Sequence, residues 1–382
     1  MSLLEPVFWI SVGAVLYSNF GYPLVLLAIA APRRTAPRPE PTPDVSLPSV
    51  AVLVAAYNEE RHIAERVRNL LTLDYPADRL HIFVGSDGST DRSIALLRDM
   101  ASDRVHVADF ARRRGKASVL NDLVMLATQD ILVFTDANTS FKPDVLRQLV
   151  RHFTLPGVGC VCGELRLVGD GGDNQDHVYW RYERMLKYYE SSIGALLGAN
   201  GGVYALRRTA YRPIPADTIV DDLWISLQVL EAGQRCVYAH DAVAFESAPE
   251  RIADEFRRRV RIGMGNYQAL RRFAGLLHPR HGAVAFTFLS HKVMRWLVPH
   301  AMMLALACNF LLADRPLYAA LLAGQIAFYA SAWIGWRWSS IGIAPRLLRV
   351  PLFFVSMNLG LLLGWWQYLR GRASGVWVRT AR

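Results

Sequence analysis

Lysine is nearly absent from this strongly basic chain. Lys116, Lys142, Lys187 and Lys292 are the only four among 43 basic residues, so the net charge of +10 is carried almost wholly by Arg. Cysteine is as scarce, with four in 382 residues. No Cys-x-x-Cys pair and no Cys/His zinc spacing occurs, which argues against metal binding through thiolates. Cys160 and Cys162 fall on one face of a strand, and Cys236 and Cys308 stand alone. That usage fits small buried hydrophobes in a reducing compartment. No RNA- or DNA-binding motif accompanies the basic charge. Nucleic acid is therefore ranked below anionic lipid headgroups and diphosphates as a partner. No internal repeat is visible.

Long apolar runs, by contrast, are plentiful. Residues 7–31 carry no charge and no clear small-residue cleavage site, so they are read as a retained membrane helix. Arg33, Arg34 and Arg38 follow, within a Pro-rich linker over residues 32–48. By the positive-inside rule the linker is cytoplasmic. Three further spans are expected near residues 297–313, 317–336 and 350–368, each close to the ~20 residues that a bilayer core requires. Residues 283–296 are apolar on one side and carry His291, Lys292 and Arg295 on the other, which predicts an interfacial helix within residues 276–296. Arg370, Arg372, Arg379 and Arg382 of the tail prefer the inside, as do Arg337, Arg346 and Arg349 of the preceding loop. Four spans cannot satisfy both, so the side of the tail stays open.

The stretch between linker and spans alternates strands with helices, which predicts a mostly parallel sheet. Strands are expected at residues 50–56, 81–85, 105–108 and 131–134, and helices at 59–73, 118–128 and 223–232. Three strands end in polar clusters: Asn58-Glu59-Glu60, Asp87-Gly88-Ser89 and Asp136-Ala137-Asn138. Turn chemistry accounts for any one of them. Three at one sheet edge require donors or a cation to bind. Asp87 suits a base or ribose edge, and Asp136 with Asn138 suits a hard divalent ion that also holds phosphates. Arg112-Arg113-Arg114-Gly115-Lys116 sits before a helix start, a plausible anion site. Further along, Gly198-Ala199-Asn200-Gly201-Gly202 suits a structural turn, and equally a close approach of the backbone to a ligand. Asp221 and Asp222 open a helix; they suit capping, and equally general-base work, since one acid raises the other's pKa.

The segments VAAYNEE, SDGSTD, RRGKASVLN and FTDANTSF, in this order, resemble the nucleotide-sugar-binding half of family 2 glycosyltransferases with the GT-A fold. The resemblance implies a cytoplasmic GT-A domain over residues 49–275, an α/β Rossmann-like unit with a mostly parallel sheet. Three membrane helices over residues 297–370 and a basic tail, 371–382, complete the chain. It implies a nucleotide diphosphate sugar, usually UDP-linked, and Mg²⁺ or Mn²⁺ on Asp136 and Asn138. Donor contacts would come from Ala56, Asn58, Glu59, Asp87, Lys116, Asp136, Ala137, Arg258 and Arg261. Asp222, beside Asp221, is implied as the base that deprotonates the acceptor. The segment EFRRRVRIGMGNYQAL resembles the Gln-x-x-Arg-Trp region of cellulose, chitin and hyaluronan synthases. Arg258 stands where Gln is usual, Arg261 matches the Arg, and Ile262 replaces the Trp. Arg261 would pair with the leaving diphosphate, while the missing indole removes a stacking platform that Tyr267 is the candidate to replace. Gly201, Gly202 and Glu164, with Glu246, are the acceptor-side candidates.

The expected activity is inverting transfer of a sugar to a growing polysaccharide at the inner membrane face, with export subunits as conceivable partners. Transfer of one sugar to a membrane lipid is the rival, and an inactive nucleotide-sugar-binding subunit is an alternative of another class.

Overall fold

The computed structural model describes residues 3–33, 39–168, 175–247, 252–339 and 345–372. Residues 34–38 of the linker, residues 340–344 before Arg346 and the tail beyond Arg372 lie outside them. Two apolar helices come first, α1 (Leu4–Leu16) and α2 (Tyr22–Ala30), joined by a π-helical turn at Tyr17–Gly21. The α/β unit then runs β1 (Val50–Ala56), α3 (Ile63–Leu71), β2 (Leu80–Asp87), α4 (Ser93–Asp99), β3 (Val105–Phe110), α5 (Lys116–Leu126) and β4 (Ile131–Asp136). It continues with β5 (Thr139–Phe141), α6 (Val145–Val150), β6 (Val158–Val168), α7 (Gln175–Ser192) and β7 (Tyr204–Arg207). Next come α8 (Asp221–Glu231), β8 (Arg235–Ser247) and α9 (Ile252–Phe273). The remaining helices are α10 (Ala283–Thr287), α11 (Met294–Leu311), α12 (Pro316–Ser339) and α13 (Arg346–Leu369).

The strands form one sheet in the order β3-β2-β1-β4-β7-β6-β8-β5. Strands β3, β2, β1 and β4 are parallel to one another, and β7 enters antiparallel to β4 and β6. The period of two in each central strand divides the core into two layers. Ala51, Leu53 and Ala55 of β1 face Val119, Leu120 and Leu123 of α5. Val50, Val52, Val54 and Ala56 face Ile63, Val67 and Leu70 of α3. A strand covered on both sides must be apolar at every position, which is why VAVLVAA carries no polar residue. Cys160 and Cys162 are buried together in the first layer.

Helix α3 starts at Ile63, later than residue 59. Asn58 holds a left-handed backbone at φ 56°, and its Oδ1 accepts from the Thr90 amide at 2.8 Å. The Glu59 amide donates to Ser93 Oγ at 2.8 Å. These residues knit two strand ends together before the helix begins.

Among the described residues four helices are long and apolar enough to cross a membrane: Leu4–Ala30, Ala283–Leu311, Pro316–Ser339 and Leu347–Leu369. The expected break between an interfacial helix and a span near residue 297 is not seen. Helix α10 runs through a π-helical segment, Phe288–Val293, into α11. His291, buried with its Nδ1 2.5 Å from Glu190 Oε1 of α7, is matched inside the protein rather than turned to an interface. Tyr22 of α2 donates to the same carboxylate oxygen at 2.7 Å, so α7 is clamped to the membrane helices.

Candidate active site

Because β1 pairs in parallel with both β2 and β4, their polar C-terminal ends share one edge; Ala56 is level with Ser86, and Ala55 with Asp136. Asp87 is fully buried there, and its two carboxylate oxygens accept from the backbone amides of Arg114 (2.7 Å) and Gly115 (2.9 Å). Asp87 thereby fixes the Arg-rich loop and the start of α5. Gly88, at φ +67°, is required by the same packing: a Cβ would stand 2.9 Å from the Arg113 nitrogen. Arg113 lies over the Tyr57 ring at 3.7 Å.

Lys116, the first residue of α5, points its ammonium between Asp136 at the end of β4 and Asp221 at the start of α8. Nζ is 2.9 Å from Asp136 Oδ1 and 3.1 Å from Asp221 Oδ2, the latter an ion contact without hydrogen-bond alignment. Burial opposes the lysine's charge, but Asp136, Asp221 and Asp222 outweigh it and hold the pKa above its ordinary value. Asp222 is pushed the other way from a usual carboxylate. Burial and the neighbouring Asp221 raise its pKa, against the pull of Lys116. Asp222 Oδ1 accepts from the Leu223 amide at 2.8 Å, so the other oxygen is turned outward. A Cβ placed on Gly201 would stand 3.2 Å from Asp222 Oδ2 and 3.9 Å from Asp136 Oδ2. The glycine therefore keeps open a space that both carboxylates border.

Helix α9 supports this cluster from behind. Arg261 Nη1 donates to the Ile219 carbonyl at 3.2 Å. Gln268 Oε1 accepts from the Ile219 amide at 3.2 Å, and its Nε2 donates to the Asp217 carbonyl at 3.0 Å. The turn that delivers Asp221 and Asp222 is thus held by α9. Burial lowers the Arg261 pKa, while Asp221, Asp136 and Asp222 favour its charge. Arg258 lies 3.9 Å from Glu255 on the same helix.

The remaining candidates have partners of their own. Tyr267 is buried in the core, its hydroxyl donating to the Trp296 carbonyl at 2.6 Å, so it stands between α9 and α11 and not as an open platform. Glu164 is also buried, bound to Arg184 (2.9 Å) and Tyr238. Glu59 serves the turn described above, and Ala137 is core. Asn138 Nδ2 donates to Glu246 Oε1 at 3.2 Å. Gly202 binds through its carbonyl to Thr135 Oγ1 at 2.7 Å.

Arg66 was not anticipated. It is almost fully buried on the apolar face of α3, donating to Thr135 Oγ1 and Asn69 Oδ1, each at 2.7 Å. Burial pushes its pKa down to about 9, with Asp136 opposing the shift. The signal was in the periodicity: a charged residue at i+3 between Ile63 and Val67 interrupts an otherwise apolar stripe.

A hard divalent cation fits this site. Asp136 and Asn138 are oxygen donors, and the Gly201 cradle leaves room beside Asp136. Among the described residues no three His, Cys, Asp or Glu side chains form a metal-holding group. An ion of the Mg²⁺ type takes only one or two protein carboxylates when phosphates supply the rest.

Residues 51–213 match the family model Glycosyl transferase family 2. The chain carries a family 2 glycosyltransferase domain. The family's GT-A fold is shared by a solved mannosyltransferase of Pyrobaculum calidifontis, in complex with GDP-Man and Mn²⁺, which superposes with a TM-score of 0.72 at 24% identity. That match covers 97% of this chain and 100% of the other. A poly-β-1,6-N-acetyl-D-glucosamine synthase of Staphylococcus aureus is 26% identical over 241 residues, 60% of this chain and 58% of its own length. A β-monoglucosyldiacylglycerol synthase of Synechocystis is 28% identical over 238 residues, 59% of this chain and 49% of its own. The chain thus spans about half the length of these curated relatives. With four apolar helices beside its family 2 domain, it is a membrane protein.

Proposed function

We propose that the chain transfers a sugar, with inversion, from a nucleoside diphosphate sugar to the hydroxyl of an acceptor held at the membrane's cytoplasmic face. One observation carries this reading: the outward oxygen of Asp222 and the carboxylate of Asp136 border the same space over Gly201. A base whose pKa is raised, and a diphosphate-binding acid beside it, are what an in-line displacement needs.

In the proposed reaction Asp222 takes the proton of the acceptor hydroxyl as its oxygen bonds to the anomeric carbon. The bond from that carbon to the phosphate oxygen breaks, and its electron pair leaves with the nucleoside diphosphate. An α-linked donor becomes a β-glycoside. A divalent cation, Mg²⁺ or Mn²⁺, held by Asp136 and the Asn138 amide oxygen would neutralise charge on the leaving diphosphate. Arg261 and Lys116 supply fixed positive charge on the same side. Asp87 orders the loop that would meet the nucleoside, with the Tyr57 and Arg113 pair beside it.

The preferred acceptor is a growing polysaccharide. Similarity to the poly-N-acetylglucosamine synthase supports it, as does the tie between the acceptor side and the membrane helices: Lys187 of α7 donates to Asn200 Oδ1, next to Gly201. Transfer of one sugar to a lipid is the second reading. Ile262 in place of an indole, and Tyr267 sealed in the core, leave neither of those two positions of α9 as an aromatic platform for a sugar chain. The test is turnover by purified protein with UDP- and GDP-sugars and Mn²⁺, products resolved by size. Long glycans support the first reading and one sugar on lipid the second. Donor binding without turnover, unchanged in Asp222→Asn, overturns both.

A further inference from the structure

The motif Asp136-Ala137-Asn138 carries an amide at its second polar position. The structure places a carboxylate behind that amide. Strand β5 starts directly after Asn138 and pairs antiparallel with β8, so Thr139 is level with Glu246. Glu246 is 3% exposed, and its Oε1 accepts the hydrogen bond from Asn138 Nδ2. An amide whose nitrogen is engaged on one side presents its oxygen on the other. A carboxylate at position 138 would instead have no proton to give, and two acids in contact, one of them buried, repel unless one is protonated.

We propose that Glu246 is a positioning residue for cation and diphosphate binding: it holds the Asn138 amide so that its oxygen, not its nitrogen, faces the Asp136 site. The acid of this pair stands on β8, and the motif itself keeps a neutral oxygen donor at its second polar position. This rests on the reading of Asp136 as the diphosphate–cation acid. An acid placed at position 138 therefore harms the site.

The experiment is Mn²⁺ titration followed by EPR, with UDP in one arm and GDP in the other, on the full chain in detergent. Thermal melting of each variant tests folding. Asp136→Asn should weaken Mn²⁺–nucleotide binding at least tenfold. Asn138→Asp should weaken it about tenfold, the range seen when a partner behind a ligand is disturbed. The double variant Asn138→Asp with Glu246→Gln exchanges acid and amide across the same hydrogen bond. It should bind within about threefold of the parent, as rescue of such a partner predicts. Parental or tighter binding by Asn138→Asp overturns the inference, and so does failure of the exchange to rescue a folded double variant. If Asp136→Asn binds as the parent does, the Asp136 reading itself falls. A double variant that does not melt cooperatively also counts against the exchange.

Discussion

Gly263 of α9 and Gly364 of α13 touch backbone to backbone. A Cβ on Gly364 would stand 2.8 Å from the Gly263 Cα and 2.6 Å from the Val260 carbonyl oxygen. Small residues let helices approach this closely, and here the contact joins a candidate membrane helix to the helix that carries Arg258 and Arg261. Gly364→Leu must push α9 away and shift the turn bearing Asp221 and Asp222. Transfer activity is expected to fall about 100-fold, since small misplacements cost that much at a reacting centre. Gly324→Leu, at an open position on α12, should leave the rate near parental in the same assay.

Asp222→Asn should lower transfer by about 10²–10⁴-fold, the range for loss of a positioned base. Nucleotide binding should survive. Asp222 is held above the ordinary carboxylate range, so its ionised form costs stability at neutral pH, and that cost is relieved as pH falls through the raised pKa. The neutral isostere removes the cost at every pH. Its melting temperature should therefore be higher than the parent's at pH 8, by about 2 °C or more, and the gap should narrow toward acid.

The pH–rate profile should have an acid limb displaced upward from the usual carboxylate range, because the base must be ionised to accept a proton. Lys116 lowers the Asp222 pKa. Lys116→Gln should therefore move the acid limb to still higher pH, besides reducing the maximum. A limb that moves to lower pH would contradict the assignment of Asp222 as base.

Asp87→Ala leaves the buried amides of Arg114 and Gly115 without their acceptor. Each such group costs about 1–3 kcal/mol, so the melting temperature should drop clearly. Hydrogen exchange at residues 114 and 115 should rise before that of β1, and nucleotide binding should weaken with the loop.

Much of this protein was legible as sequence, for a local reason in each case. VAVLVAA can only be a strand covered on both faces, and long uncharged runs announce membrane helices. Asp136, Asp221 and Asp222 are marked by sitting where a strand ends or a helix begins. Arg66 was legible too, as a charge interrupting the apolar stripe of α3, but periodicity cannot say what a buried charge meets. The continuous helix through residues 283–311 was hidden because charged residues on one face look alike whether they meet lipid headgroups or Glu183 and Glu190 of a partner helix.

Chain composition and order thus determined the elements, their two-sided burial and which acids arrive at the sheet's edge, because each depends on neighbours within a few residues. Only the tertiary structure decided that Lys116 bridges Asp136 and Asp221, that Asp222 faces the Gly201 space, that Tyr267 is sealed in the core and that Asn138 leans on Glu246. Those are contacts between residues tens to more than a hundred positions apart, and they are set by strand order and helix packing, which no local pattern encodes.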